Sequence, residues 1–193
     1  MKVGLYFGSF NPIHNGHLAI ANYIVDFTEI DELWFVVSPQ NPLKDKVSLA
    51  PDNQRLEMVK RAIPLNENRF KVCDIEMGMP KPSYTIDTLK VLEIKYPDKE
   101  FNLILGSDSM DSITKWKDYN ELIYNHKIYV YPREGSNIKE LANTYPIKII
   151  RAPLVDFSST KIRQKIWNGE NVRNLIPDSV LDYIKDLGLY KTK

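Results

Sequence analysis

The sequence predicts an α/β protein: a single domain built on a doubly wound, mainly parallel sheet. Three observations lead there. Short apolar runs alternate with amphipathic, helix-periodic stretches almost to the end of the chain, the pattern of repeated strand–helix–strand crossovers. The length, 193 residues, suits one domain whose core is large enough to need no cross-links. No internal repeat, low-complexity tract or linker divides it.

Val3-Gly4-Leu5-Tyr6-Phe7 is the first strand, followed by a turn and a helix with Leu18, Ala21, Ile24 and Val25 on one face. Leu33–Val37 is a second buried strand, bounded by Ser38-Pro39. The Pro39–Lys44 loop follows at its carboxyl end, where open α/β sheets place their ligands. A helix is expected over 51–63, a third strand over 70–75 and a helix over 85–96. Phe101–Leu105 is the fourth strand, ending in Gly106-Ser107-Asp108, with a short helix expected over 109–116. Lys127–Tyr131 and Ile147–Ile150 are the fifth and sixth strands. Ser159–Trp167 is helical and stops at Asn168-Gly169; Pro177 opens a last helix that Gly188 ends, with Val180, Leu181 and Ile184 facing inward.

Composition narrows the function classes. A net charge of +1 argues against a nucleic-acid coat or a membrane-surface role but leaves room for a local phosphate site. The single cysteine, Cys73, rules out an internal disulfide. No apolar stretch approaches ~18 residues, and the N-terminus has no signal-peptide layout, so a cytoplasmic location is expected. Self-association into a homo-oligomer stays open.

The chemistry concentrates in Gly8-Ser9-Phe10-Asn11-Pro12-Ile13-His14-Asn15-Gly16-His17. Gly8 lets backbone approach a ligand, and Asn11-Pro12 is a turn signal. A helix starting near Asn15 or Gly16 offers free N–H groups to a phosphate, and His14 and His17 share its first turn. A metal held by this pair is disfavoured, because zinc takes about four ligands and neither His126 nor Cys73 has a ligand-like spacing. The segment resembles the (T/S)-F-x-P-x-H-x-G-H signature of the nucleotidyltransferase superfamily, and is similar to the H-I-G-H element of class I aminoacyl-tRNA synthetases. That resemblance implies a Rossmann-like nucleotidyltransferase fold. It also implies an ATP site formed by Gly8, Ser9, Phe10, His14, Gly16 and His17.

A second cradle is legible in Ser158-Ser159-Thr160-Lys161-Ile162-Arg163, where hydroxyl N-caps lead into a helix and Arg163 lies three residues after Thr160. Hydroxyls, free N–H groups and a guanidinium make a polyphosphate clamp. It resembles the (I/F)-S-S-T-x-I-R motif of adenylyltransferases, which assigns ATP-phosphate contacts to Ser158, Ser159, Thr160 and Arg163.

Further segments are similar to bacterial nicotinate-mononucleotide adenylyltransferases. Ser83–Leu89 looks like their S-Y-T-x-D-T-L, and Leu105–Met110 their L-G-x-D-x-(L/M). Trp116 falls at the spacing of their acceptor-side tryptophan, and the close Ile176-Pro177…Gly188-Leu189-Tyr190 is typical. The implied activity is transfer of AMP from ATP to nicotinate mononucleotide, with Mg²⁺ carried by the ATP phosphates rather than by protein ligands. The implied mononucleotide contacts are Asn11, Lys44, Tyr84, Thr85, Asp108, Trp116 and Arg133; His14, His17, Lys44 and Arg163 would be catalytic. Asn11 replaces the commoner Asp, and Arg133 is displaced along the chain from the family's Arg-Pro-Gly. The alternatives are a nicotinamide-mononucleotide preference, another phosphate-monoester acceptor, or a nucleotide-sensing module with an inactive site.

Overall fold

The computed structural model describes residues 1–39, 49–133, 135, 137–152 and 158–191. Six strands form one sheet: β1 (Lys2–Gly8), β2 (Glu32–Val37), β3 (Phe70–Cys73), β4 (Glu100–Gly106), β5 (Ile128–Tyr131) and β6 (Ile147–Ile149). Their order is β3-β2-β1-β4-β5-β6, and every pairing is parallel. The α/β expectation is met. All strand carboxyl ends therefore lie on one edge, and the winding reverses between β1 and β4, where open sheets form their ligand crevice. Glycines close both of these strands, Gly8 and Gly106.

Among the described residues eight α-helices cover the sheet: α1 (Asn15–Phe27), α2 (Asp52–Ala62), α3 (Thr85–Lys95), α4 (Ser107–Asp111), α5 (Tyr119–Asn125), α6 (Ile138–Thr144), α7 (Ser159–Trp167) and α8 (Asp178–Asp186). Alternate strand residues feed two apolar layers. Tyr6, Leu33 and Phe35 pack with Ile24, Met58, Ile162 and Ile184 on one face. Val3, Leu5, Val36 and Leu103 pack with Leu89, Leu92 and Leu122 on the other. Burial on both faces explains why the strands read as unbroken apolar runs.

Boundaries differ from expectation in four places. β3 ends at Cys73, and Ile75–Gly78 forms a 3-10 turn instead. β6 stops at Ile149. The helix expected over 109–116 splits into α4 and a 3-10 turn at Ile113–Lys115, so Trp116 follows in extended backbone, off any helix. α5 and α6 were not legible. Each spans seven residues, too short for helical periodicity to register, and they bury only Leu122, Ile123 and Leu141. Among the described residues no helix is long and apolar enough to cross a membrane.

Helix α8 packs against α2 and carries the chain back toward the carboxyl edge of the sheet. Ile184 on its inner face is 1% exposed. Ile184→Ala is expected to cost about 2–5 kcal/mol through lost transfer energy and the cavity left behind. A lower urea midpoint at unchanged slope is the expected signature; a midpoint equal to wild type contradicts this packing.

Candidate active site

Helix α1 begins at the first turn's histidines. His14 is its N-cap, with extended backbone, and His17 is the third helical residue. They cap each other: the His17 backbone N–H donates to His14 Nδ1 at 3.3 Å, and the His14 N–H donates to His17 Nδ1 at 3.2 Å. Each ring thus uses Nδ1 as acceptor, which assigns the proton to Nε2 in the neutral tautomer. The rings stack at 3.6 Å between centroids. Burial, reinforced by the Arg133 charge, lowers His14 to about 3, so His14 is built as a neutral Nε2–H donor rather than as an imidazolium.

The turn is wedged from below. Phe10, expected at the ATP site, is 2% exposed, with its ring in the core beneath His17 at 5.1 Å and edge-on to Phe35. Its φ of 43° is left-handed backbone, an uncommon state for a large residue. Gly8 is required by that wedge, since a Cβ there would lie 2.9 Å from Phe10 Cζ. Gly16 is buried in the first turn of α1.

The second cradle meets the first directly. Ser158 caps α7 by accepting from the Lys161 N–H. Ser159 Oγ donates to the Pro12 carbonyl at 2.9 Å, and Arg163 Nη1 donates to the Asn11 carbonyl at 2.8 Å. Arg163 Nη2 reaches Thr160 Oγ1 at 3.3 Å. Segments nearly 150 residues apart are thereby joined into one surface; their separations along the chain are 147 and 152 residues.

A cavity of about 470 Å³ opens at the switch point, within the size range of small-molecule sites. Gly8 and Ser9 form one wall, and Tyr84, Thr85, Asp108 and Trp116 the other. Helix α3 starts there with no side-chain cap of its own, leaving its first N–H groups for a ligand. Two buried donors have no hydrogen-bond partner among the described residues: Trp116 Nε1, and Arg133 Nε. Of the two, Trp116 lines the cavity, where an unpartnered donor suits a ligand rich in acceptors. Arg133 is anchored by its backbone N–H to Ser107 Oγ and by Nη2 to Tyr131 Oη, and lies 3.9 Å from Asp108.

One expected residue falls elsewhere. Asn11 is 2% exposed, away from the cavity wall, and its Oδ1 accepts from the Ala50 N–H at 3.1 Å and Tyr190 Oη at 2.7 Å. It ties loops together. Lys44 lies outside the described residues. Sequence reading missed Glu76, whose carboxylate accepts from Ser83 Oγ at 2.8 Å and Thr88 Oγ1 at 2.7 Å, bracing the start of α3. It missed Arg55 as well. Nothing in local pattern marks either residue as buried.

Gly8→Ala is expected to displace Phe10 and tilt His17, lowering turnover more than it lowers the melting temperature; unimpaired turnover contradicts the wedge. In the free protein, the His14 ring signals in NMR should not titrate between pH 8 and pH 5. The native state resists protonating His14, so this residue adds no pH dependence above its ordinary value of 6.5, and stability falls as pH drops from there toward about 3. A His14 midpoint near neutrality refutes the neutral-donor assignment.

Known proteins share much of this sequence and this fold. The cytidylyltransferase-like family model matches residues 5–165. A probable nicotinate-nucleotide adenylyltransferase of Flavobacterium johnsoniae is 47% identical over 99% of this chain and 100% of its own. Its counterpart in Flavobacterium psychrophilum is 46% identical over 99% and 100%. In structure, the chain is similar to Plasmodium falciparum nicotinic acid mononucleotide adenylyltransferase complexed with NaAD, with TM-score 0.80 and 21% identity over 98% of this chain and 97% of that one, a likeness of fold. By its sequence across nearly its full length, the chain belongs to the nicotinate-nucleotide adenylyltransferase family of cytidylyltransferase-like enzymes.

Proposed function

We propose that the chain transfers AMP from ATP to nicotinate mononucleotide, giving nicotinate adenine dinucleotide and pyrophosphate, a step of NAD biosynthesis. The observation that carries this is the direct joining of two anion cradles, through the Asn11 and Pro12 carbonyls, beside a cavity with an aromatic wall.

The mononucleotide's phosphate oxygen attacks the α-phosphorus in line, and the bond from that phosphorus to the β-bridging oxygen breaks. A phosphate monoester is already anionic near neutral pH, so no base is needed, and catalysis is positioning plus charge stabilisation. His14 and His17 donate from Nε2 to the α-phosphate as charge builds. Ser158, Ser159, Thr160 and Arg163 hold the departing pyrophosphate, with Gly8, Ser9 and Gly16 leaving room for the phosphates. Lys44 would add a positive charge. Trp116 supplies a flat face to the pyridine ring, Asp108 meets a ribose hydroxyl, Arg133 meets the mononucleotide phosphate, and the Tyr84-Thr85 amides meet the carboxylate.

A divalent ion such as Mg²⁺ would be carried by the ATP phosphates, in keeping with its preference for water and phosphate oxygen, and would supply positive charge against the polyphosphate.

His17→Ala is expected to lose roughly 100- to 1000-fold in turnover with the fold intact, the usual cost of one preorganised donor. Pyrophosphate release by the purified variant checks this, and near-normal turnover removes the histidine from the mechanism. Trp116→Ala should raise KM for the mononucleotide far more than for ATP; equal effects make Trp116 a packing residue. Wild type given ATP with nicotinate, nicotinamide, pantetheine or glycerol phosphates should release pyrophosphate fastest with nicotinate mononucleotide. Release with none of them would point to a sensing module.

A further inference from the structure

Arg55 is the largest fully buried side chain in the protein, 0% exposed, yet it is a cation on a helix two elements away from the histidines. All five of its guanidinium N–H bonds are matched by five acceptors. Nε donates to the Ala50 carbonyl at 3.0 Å. Nη1 donates to the carbonyls of Ser9 at 2.6 Å and Ser38 at 2.8 Å. Nη2 donates to the Pro39 carbonyl at 2.9 Å and to Asp52 Oδ1 at 2.7 Å. Four of the acceptors are loop carbonyls, which no strand or helix ladder satisfies. They belong to the turn after β1, the turn after β2 and the approach to α2, and both Ser9 and Ser38 line the cavity.

A buried arginine is a poor way to gain stability, because removing the charge from water offsets most of what its bonds return. An apolar side chain of similar volume would fill the space but leave these four carbonyls without their donor. What the planar five-donor fork provides is a fixed relative geometry for three chain segments. Two bonded paths lead outward from it. Ala50, whose carbonyl Arg55 binds, donates its N–H to Asn11 Oδ1, and the Asn11 carbonyl receives Arg163. Asp52, the charged partner, also holds Lys81 Nζ at 2.6 Å, two residues before Ser83 and the start of α3.

We propose that Arg55 is a positioning residue of the transfer reaction, aligning the phosphate turn of the ATP site with the acceptor wall of the same cavity. The inference rests on the adenylyl-transfer reading for its kinetic test, and stands on backbone geometry alone for its second test. Because Arg55 braces both halves of the site and touches neither substrate, its loss should appear in kcat. Misalignment on the scale of an ångström costs about 100-fold.

The test is Arg55→Lys, which keeps the charge and most of the stem but has too few donors to span five acceptors. Assayed well below its melting temperature, it should lose about 100-fold in kcat while both KM values stay within a few-fold. Unchanged kcat per folded molecule, with only the melting temperature lowered, would make Arg55 a stability residue and overturn the proposal. If Arg55→Lys does not fold, Asp52→Asn and Lys81→Met loosen the same network from its exposed end. Each should lower kcat in the same direction by a smaller factor, and wild-type kinetics in both overturns the proposal.

Amide hydrogen exchange separates this from the reaction assignment. Ser38 donates its N–H to the Gly8 carbonyl and Ala50 to Asn11, so these two amides report the turns directly. In Arg55→Lys, or in Asp52→Asn if the first does not fold, they should exchange faster while β1 and β4 amides keep wild-type protection. Unaltered exchange there refutes the positioning role even if wild type transfers AMP. Faster exchange with an inactive wild type would leave the bracing of the two turns standing and overturn the transfer reading instead.

Discussion

Two carbonyl oxygens in the first turn hold the functional surface together. Asn11 and Pro12 accept from Arg163 and Ser159, so that the start of the sheet's first crossover and the start of α7 become one unit. Neither segment makes a nucleotide site alone. A capped helix with an arginine is common on protein surfaces, and a histidine pair at a helix start is equally consistent with ordinary packing. Joined, they set donors from both ends of the chain on one face, at the edge where a parallel sheet collects its strand ends. The same bonds occupy Ser159 Oγ and one Arg163 N–H internally. Arg163 Nη2 also meets Thr160 Oγ1, and Ser158 Oγ accepts from the Lys161 N–H, so the polar groups of the cradle hold one another in place.

The histidines show how preorganisation works without charge. Reciprocal bonds to backbone fix both Nδ1 atoms, and stacking fixes the ring planes. In the proposed transfer, a donor locked in this way would need no reorganisation as negative charge develops on the α-phosphate. Burial that keeps His14 neutral also excludes water from the neighbouring bonds. Phe10 and Gly8 belong to the same device, one supplying the wedge and the other the space for it.

The sheet and both cradles were legible because their signals are local. Period and composition mark strands that are buried on both faces, and Gly, Pro, Ser and His at strand–helix junctions mark turns with free N–H groups. Arg55 and Glu76 were not legible because their burial depends on loops that converge from distant positions. Along the chain, Arg55 is one polar residue in a helix whose apolar positions are Leu56, Met58 and Val59, and Glu76 is one acid beside Ile75. α5 and α6 escaped for a different reason, having too few turns to show a period. Trp116 was expected at the end of a helix and stands in extended backbone, since the helix gives way to a 3-10 turn before it.

Asn11 brings these points together. Its Oδ1 takes two donors, the Ala50 N–H and Tyr190 Oη, which closes the C-terminal residues over the first turn. An aspartate could accept the same bonds, and would add a negative charge close to Arg163. That charge would hold the guanidinium more tightly and, at the same time, oppose the arrival of a polyphosphate. The amide accepts as many donors and leaves the local field to the arginines, His14 being neutral. In a chain of net charge +1 the attraction for phosphate cannot come from the molecule as a whole. It comes from a few groups kept cationic at one edge of the sheet, with a neutral residue at the knot that ties them.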